Sequence, residues 1–450
     1  MSQAPDLEDL SQKLLSAAKS AGAEAADTIL IAGDAISIEV LDGKLEHAER
    51  AEGVDVGLRV LIGQKQANIA SSDIREATFK TMAERAVAMA KVAPDDPYCG
   101  LADPAQLATN WDLDALDLSD DTQSPEPAAL QDMALEAEAA ALKVKGVSKV
   151  QAAGSGWSGN DVWLAGSNGF SAGYRRTSWS TSCVAITGEG LGMERDYYGD
   201  GRTHFEDMMD PSEIGRIAGE RTAERNGATR PPTGTYPILI DERVSSSIIG
   251  HLTGAINGAA IARGSSWLKD ALGTQILPAH MSLIENPNRP RTSGSRPFDA
   301  EGLPMRKRAI VENGVLTGWT LDLATARKLG MESTGNAARG ASSPPSPTNG
   351  NLELTQGDKS VKELLRDMGT GLWITSFIGS TISPTTGDYS RGASGFWVEN
   401  GEVTGPVNEC TVAGNLKDML KRMIPANDAR PHLSRVIPSL LIEDMTIAGS

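Results

Sequence analysis

The chain has 450 residues, 40% of them hydrophobic and 22% charged, which is ordinary globular material and enough for two or three domains. With 42 Lys and Arg against 59 Asp and Glu, the formal net charge is −17, and such a surface repels phosphate backbones and anionic lipid, so neither nucleic acid nor membrane is an expected partner. Three scattered cysteines (Cys99, Cys183 and Cys410) without C-x-x-C spacing exclude a disulfide framework. The acidic start, MSQAPDLEDL, has no signal-peptide core, and no run reaches membrane-span length. The expected setting is the cytoplasm.

Leu7, Leu10, Leu14, Leu15 and Ala18 recur at helical spacing and predict a first helix ending near Gly22. Strand-like runs at 28–32 and 35–41 lead into Asp42-Gly43, a hairpin signal, and 54–62 and 67–70 continue the sheet. A helix over 74–92 completes a first α+β module, residues 1–93. A proline-rich linker, 94–127, carries an acidic run over 113–121. The second α+β module, 128–229, reads as a helix over 128–144, strands over 147–158, 161–165 and 171–186, and a helix over 212–226 with Pro211 near its start.

The RPPTG run at 230–234 marks the main boundary. Beyond it come a strand at 236–240, a small-residue helix over 244–262, a non-helical tract over 264–304 and a hairpin over 309–321 around Asn313-Gly314. A Pro/Ser loop at 340–351, strands at 371–377, 396–399, 402–407 and 440–443, a hairpin signal at Asn400-Gly401 and a short helix over 416–423 complete the chain. The fold class is therefore α+β: an N-terminal α/β region of two modules, then a β-rich, barrel-like C-terminal domain over 230–450.

The missing motifs narrow the chemistry. A zincin site needs two imidazoles and a glutamate base on one helix, as H-E-x-x-H or H-E-x-x-x-H. The five histidines (His47, His204, His251, His280 and His432) are never followed by Glu and never lie within ten residues of one another. No P-loop occurs. The GEGLG run at 188–192 reads as a strand-edge bend. Cys410 could act as a nucleophile with His432 or His251, although its apolar neighbours suit a buried thiol better. Asp299 and Glu301 could be an acid–base pair, but exposed turn acids are the expectation. The Gly-rich tract from Gly387 to Gly395 could present backbone groups to an extended peptide, or be a surface turn tied by an Asp388–Arg391 pair.

Several stretches together resemble the TldD/PmbA family, and within it the PmbA (TldE) branch. They are RGSSWL (263–268), SRPFDAEGLP (295–304), STGNAARGASSPPSPTN (333–349), GDYSRGASGFWVENGEV (387–403), AGNLKDML (413–420) and PSLLIEDMTIAG (438–449), with LDGKLEHAERAEGVDVGLRVLIG (41–63) near the start. The resemblance implies an α/β N-terminal region and a β-rich C-terminal domain. It also implies a heterodimer with a TldD-like zinc peptidase that cuts unfolded or peptide substrates. In the TldD branch, H-E-x-x-x-H sits on the helix before the RGSSWL-like motif. Here those positions fall on Ile249, Gly250 and Gly254, with His251 displaced, no cysteine in the tail 435–450, and Cys410 off the ligand position. The expectation is a chain without metal or catalytic residues whose partner brings zinc. Gly387, Asp388, Tyr389, Ser390, Arg391, Gly392 and Gly395 are the candidate substrate-channel lining. A stand-alone peptide-binding homodimer and a metal-independent hydrolase using Cys410 are the alternatives.

Overall fold

Helix α1 (Leu7–Ala21) opens the chain, with the Asp6 carboxylate accepting the Asp9 N–H and Gly22 ending it at φ 102°. The computed structural model describes residues 5–449, apart from the Ser380 side chain, so the first four residues of the acidic start lie outside it. Strands β1 (Ala25–Leu41) and β2 (Lys44–Ile62) form one long hairpin over Asp42-Gly43, whose φ values of 54° and 71° are those of a type I′ turn. With β3 (Lys65–Ser71), β4 (Val147–Gly166), β5 (Ser171–Thr187) and β6 (Glu194–Arg202) they build a six-stranded antiparallel sheet ordered β3-β2-β1-β4-β5-β6. Pairing of β1 with β4 joins both N-terminal modules into this one sheet.

Alternation along β1 sorts its two faces. Leu30, Ile36, Ile38 and Val40 face a helix layer made of α1, α2 (Glu76–Val92), α3 (Pro127–Leu142) and α4 (Pro211–Ala223). Ile29, with Leu164, Phe170 and Ala172, packs on the other side against Ala108 and Phe298. The C-terminal domain docks on that second face. Residues 94–127 run along the seam: Trp111 meets the edge of Phe298 at 5.2 Å, and Arg327 donates to the carbonyls of Tyr98, Gly100 and Leu101.

The C-terminal domain is built on β7 (Gly234–Ile240), β8 (Gly371–Ile382), β9 (Asp388–Glu399), β10 (Glu402–Asn415) and β11 (Leu440–Ala448). Their order is β10-β9-β8-β7-β11, and pairing of Thr411, Val412 and Ala413 with Ala448, Ile447 and Thr446 closes the ring into a five-stranded barrel. Helix α5 (Glu242–Ala255) packs Ile248, Ile249 and Leu252 into the core that these strands share. A small sheet from Leu283–Glu285, Arg308–Glu312, Val315–Leu316, Leu352–Leu354 and Arg435–Val436 lies beside it. No described helix is long and apolar enough to cross a membrane.

Several elements run longer than their sequence signals. The runs at 28–32 and 35–41 are one strand, as are 147–158 and 161–165. The run at 396–399 is the end of the twelve-residue β9, and β6 had no sequence signal of its own. The helix expected over 244–262 breaks after Ala255, and Asn257 caps a separate turn, Gly258–Ala262. Gly188 and Gly190, both at positive φ, do form the bend from β5 to β6.

The seam between the two regions is polar and buried. Asp27 on β1 accepts from Arg59 on β2 and from Arg339 of the C-terminal domain, and all three are shielded from solvent. Burial works against the Asp27 charge, but Arg339 and Arg59 outweigh it and hold the carboxyl below its ordinary range. Asp299 and Glu301, expected as exposed turn acids, are buried here instead. The reason is backbone demand: Asp299 accepts the N–H groups of Glu301, Leu303 and Ala337 at 2.9, 2.9 and 3.0 Å, and Glu301 accepts that of Leu323 at 2.8 Å. Burial pushes the Asp299 carboxyl up to about 6, against those N–H bonds, while burial and the neighbouring Asp299 raise Glu301 well above the usual carboxylate range.

Two outcomes are expected. Asp27→Ala strands two buried guanidiniums and should cost about 3–5 kcal/mol, read as a fall in the urea midpoint at neutral pH. For the raised acids the sign is the reverse of ordinary acid denaturation. Their contribution is complete below the unfolded-state values and is lost as pH rises through the folded ones. Glu301→Gln keeps an acceptor for Leu323 and removes one titrating proton. Its urea midpoint should therefore fall less between about pH 4 and about pH 8 than that of the parent chain; an equal fall would show that Glu301 does not titrate there.

Candidate functional site

Helix α5 starts at Asp241, whose carboxylate accepts the Arg243 N–H and also binds the Arg243 guanidinium and Trp373 Nε1. Along it, the three positions singled out by the resemblance look into different surroundings. Ile249 is fully buried among apolar side chains. A Cβ on Gly254 would meet nothing within 4 Å, and one on Gly250 would meet only Arg435 Nη1, at 3.4 Å. None of the three carries a ligating atom, and among the described residues no group of three or more His, Cys, Asp or Glu is placed to hold a metal ion. These residues do not fit a zinc site.

His251, next on the helix, stands edge-on to Tyr389 with ring centroids 5.9 Å apart. Its Nε2 is buried and has no hydrogen-bond partner among the described residues. Burial and the Arg391 charge both lower its pKa, so the ring is neutral at neutral pH.

The expected lining residues fall into two groups. Gly387, at φ 82°, makes the turn into β9. Asp388 accepts from Thr386 Oγ1 at 2.6 Å and Asn415 Nδ2 at 3.0 Å, and the Asp388–Arg391 pair considered from sequence is not made. Ser390 pairs through its backbone with Ala413. Gly392 and Gly395 serve barrel packing, since a Cβ on Gly395 would sit 1.9 Å from the Trp373 carbonyl oxygen and one on Gly392 would sit 3.1 Å from that of Ile378. Strands β8 and β10 pair with β9 on both sides, so its backbone groups are already engaged.

Tyr389 and Arg391 form the second group. Two residues apart on β9, they share a face. Arg391 donates Nε to the Gly379 carbonyl at 2.8 Å and lies over the Phe377 ring, 4.5 Å from its centroid. Tyr389 is only 2% exposed, yet its hydroxyl has no partner of hydrogen-bond geometry among the described residues. Burial pushes the phenol up to about 12, against the pull of Arg391. The structure therefore gathers His251, Phe377, Tyr389 and Arg391 into one cluster. Sequence reasoning considered His251 only beside Cys410 and the metal positions and did not consider Phe377; the alternation of Tyr389 and Arg391 was the available signal. At the Gly387 turn a recess of about 300 Å³ opens, lined by Trp267, Leu268, Thr385, Lys417 and Leu420.

Cys410 is buried on β10, where its Sγ donates to the Ala393 carbonyl at 3.2 Å. Burial pushes the thiol up to about 11, the wrong direction for a nucleophile. His432 stands by Asp200 of β6, at 3.7 Å.

Fold and site together match known proteins. Residues 233–449 match the PmbA/TldA metallopeptidase C-terminal domain, 120–226 its central domain and 26–90 its domain 1. The chain belongs to the PmbA/TldD metallopeptidase family. It is 36% identical over 440 residues to Metalloprotease PmbA of Escherichia coli O157:H7, covering 97% of this chain and 94% of that protein. It is 35% identical to the Metalloprotease PmbA homolog of Haemophilus influenzae, over 92% of this chain and 90% of that one. A solved structure from Bacteroides thetaiotaomicron, described as a candidate modulator of DNA gyrase, superposes with a TM-score of 0.89 at 26% identity, over 99% of this chain and all of the other. TldE of Thermococcus kodakarensis shares the fold, with a TM-score of 0.83 at 18% identity over 98% of this chain.

The unpartnered phenol gives a direct test in the isolated chain. Arg391 lies near enough to act on the phenol but makes no bond of hydrogen-bond geometry with it, so Tyr389→Phe, which removes the buried hydroxyl, should raise stability by about 1 kcal/mol. A loss of stability on urea titration would show that the hydroxyl is bonded in the folded protein.

Proposed function

We propose that this chain is the metal-free, PmbA/TldE-like subunit of a two-subunit zinc metalloprotease in the cytoplasm, and that it completes the channel in which a TldD-like partner cuts peptide or unfolded substrates. One observation carries the reading. A chain that matches its family through all three domains holds isoleucine and two glycines where the resemblance would put the metal-binding branch's ligands and base. Zinc then comes with the partner, and this chain contributes substrate contacts alone.

The cluster on β9 and α5 supports that role. A strand paired on both sides cannot take up an extended peptide as a further strand. Contact with substrate runs instead through side chains, above all the outer nitrogens of Arg391, since the Tyr389 hydroxyl and His251 Nε2 are buried in the free chain.

The test is reconstitution. The chain is purified alone and together with a TldD-like protein, and bound zinc and cleavage of an unstructured peptide are measured. Zinc is expected in the pair and not in this chain, with cleavage requiring both. Stoichiometric zinc in the lone chain, or full cleavage by the partner alone, refutes the proposal. Arg391→Ala should lower kcat/KM of the pair by about tenfold, equivalent to about 1.4 kcal/mol, with an unchanged melting curve; unaltered kinetics would remove Arg391 from the channel.

A further inference from the structure

A second recess, of about 270 Å³, opens where β4, β5 and β6 meet the C-terminal domain. Arg176, Ser178 and Arg202 reach it from the sheet, and Arg291, His432 and Ser434 from the other side. Its wall holds three arginines and a histidine and no carboxylate, in a chain where acids outnumber bases 59 to 42.

Two of the arginines already have counter-ions. Arg202 holds Asp200, and Arg291 is gripped by Asp117, Glu206 and Asp207. Arg176 differs. Its Nη2 donates to the carbonyls of Ser293 and Ser295 at 3.0 and 3.2 Å, and no carboxylate among the described residues pairs with it. Burial works against its charge and Arg296 adds to that, with Tyr174 opposing, yet a guanidinium stays protonated in proteins. A recessed cation without a counter-ion is costly. Beside it, His432 Nε2 is buried, with Asp200 Oδ1 3.7 Å away and no hydrogen-bond partner among the described residues. Burial and Arg202, with Arg430 and Arg289 and against Asp200, keep that ring neutral, so Nε2 is free to carry a donated proton.

We propose that this recess binds a phosphate-class oxyanion, either free or as a small monoester. Donors converge from the sheet and from the C-terminal domain, which suits a tetrahedral group better than a planar carboxylate. The volume falls just under the about 300–1,000 Å³ of ordinary small-molecule sites. That admits a phosphate with a small substituent and excludes a peptide segment. The recess shares no residue with the Tyr389 cluster and does not depend on the peptidase reading. Because its wall draws on both regions, a bound anion would also strengthen the seam.

The test is calorimetric titration of the full chain with inorganic phosphate and with phenyl phosphate, ionic strength being matched with sodium chloride. One-site saturable binding is expected, weakened at least about tenfold in Arg176→Gln. Ser178 is exposed at the rim, so Ser178→Asp should weaken binding equally and remains decisive if the arginine variant fails to fold. Arg175→Gln is the control, since Arg175 is the next residue on β5 but pairs with Asp161 outside the recess; its affinity should not change. Tighter phenyl phosphate identifies a monoester ligand, and tighter inorganic phosphate identifies the free anion. No saturable binding of either, or binding unaltered by Ser178→Asp, overturns the proposal.

Discussion

A single carboxylate, Asp27, holds two buried guanidiniums that come from opposite sides of the seam. A buried charge is tolerated only when paired in good geometry, so this triad admits few ways of seating the C-terminal domain on the sheet. Nearby, the loop carrying Ala341 presses onto β2 at Gly57, where a Cβ would lie 2.4 Å from the Ala341 carbonyl oxygen. Asp299 adds order from within by gathering three backbone N–H groups. Charge pairing, close backbone approach and carboxylate-bound turns together set where the barrel stands. The position of α5 and β9 relative to the sheet follows from them.

Closing the barrel has a chemical consequence for recognition. A ring of strands has no free edge in its own hydrogen-bonding direction, so its surface is read through side chains. In this chain three polar side chains lie together on the barrel: a buried phenol, a neutral imidazole and a guanidinium fixed over a phenyl ring. A metallopeptidase relative with a metal at this helix would use the same scaffold for a Lewis acid. Here the scaffold carries hydrogen-bonding groups and an apolar plug.

Most elements were legible where a local rule decides them. Gly22, Asp42-Gly43, Asn313-Gly314 and Asn400-Gly401 all mark real ends or turns, because positive φ leaves few residue choices. Legibility failed where tertiary pairing decides. Residues 44–53 of β2 are exposed almost throughout and show no alternation, yet pair along their length with β1. The Gly- and Ser-rich start of β9 looks like a loop because a tightly packed barrel wall needs small residues. Asp299 and Glu301 looked like surface acids because sequence does not show which backbone donors lack a partner. The family resemblance carried the fold further than pattern alone, and the side-chain cluster became visible only once β9 and α5 were placed together.

The burial of Ile249 bears on how such a chain can change over generations. Ile249→His alone would put an imidazole among apolar neighbours with no second ligand near it, a step that loses stability and gains no ion. A Cβ fits at Gly254 and meets only Arg435 at Gly250, but substitutions there bind nothing until the first is made. No single substitution at these three positions therefore completes a metal site.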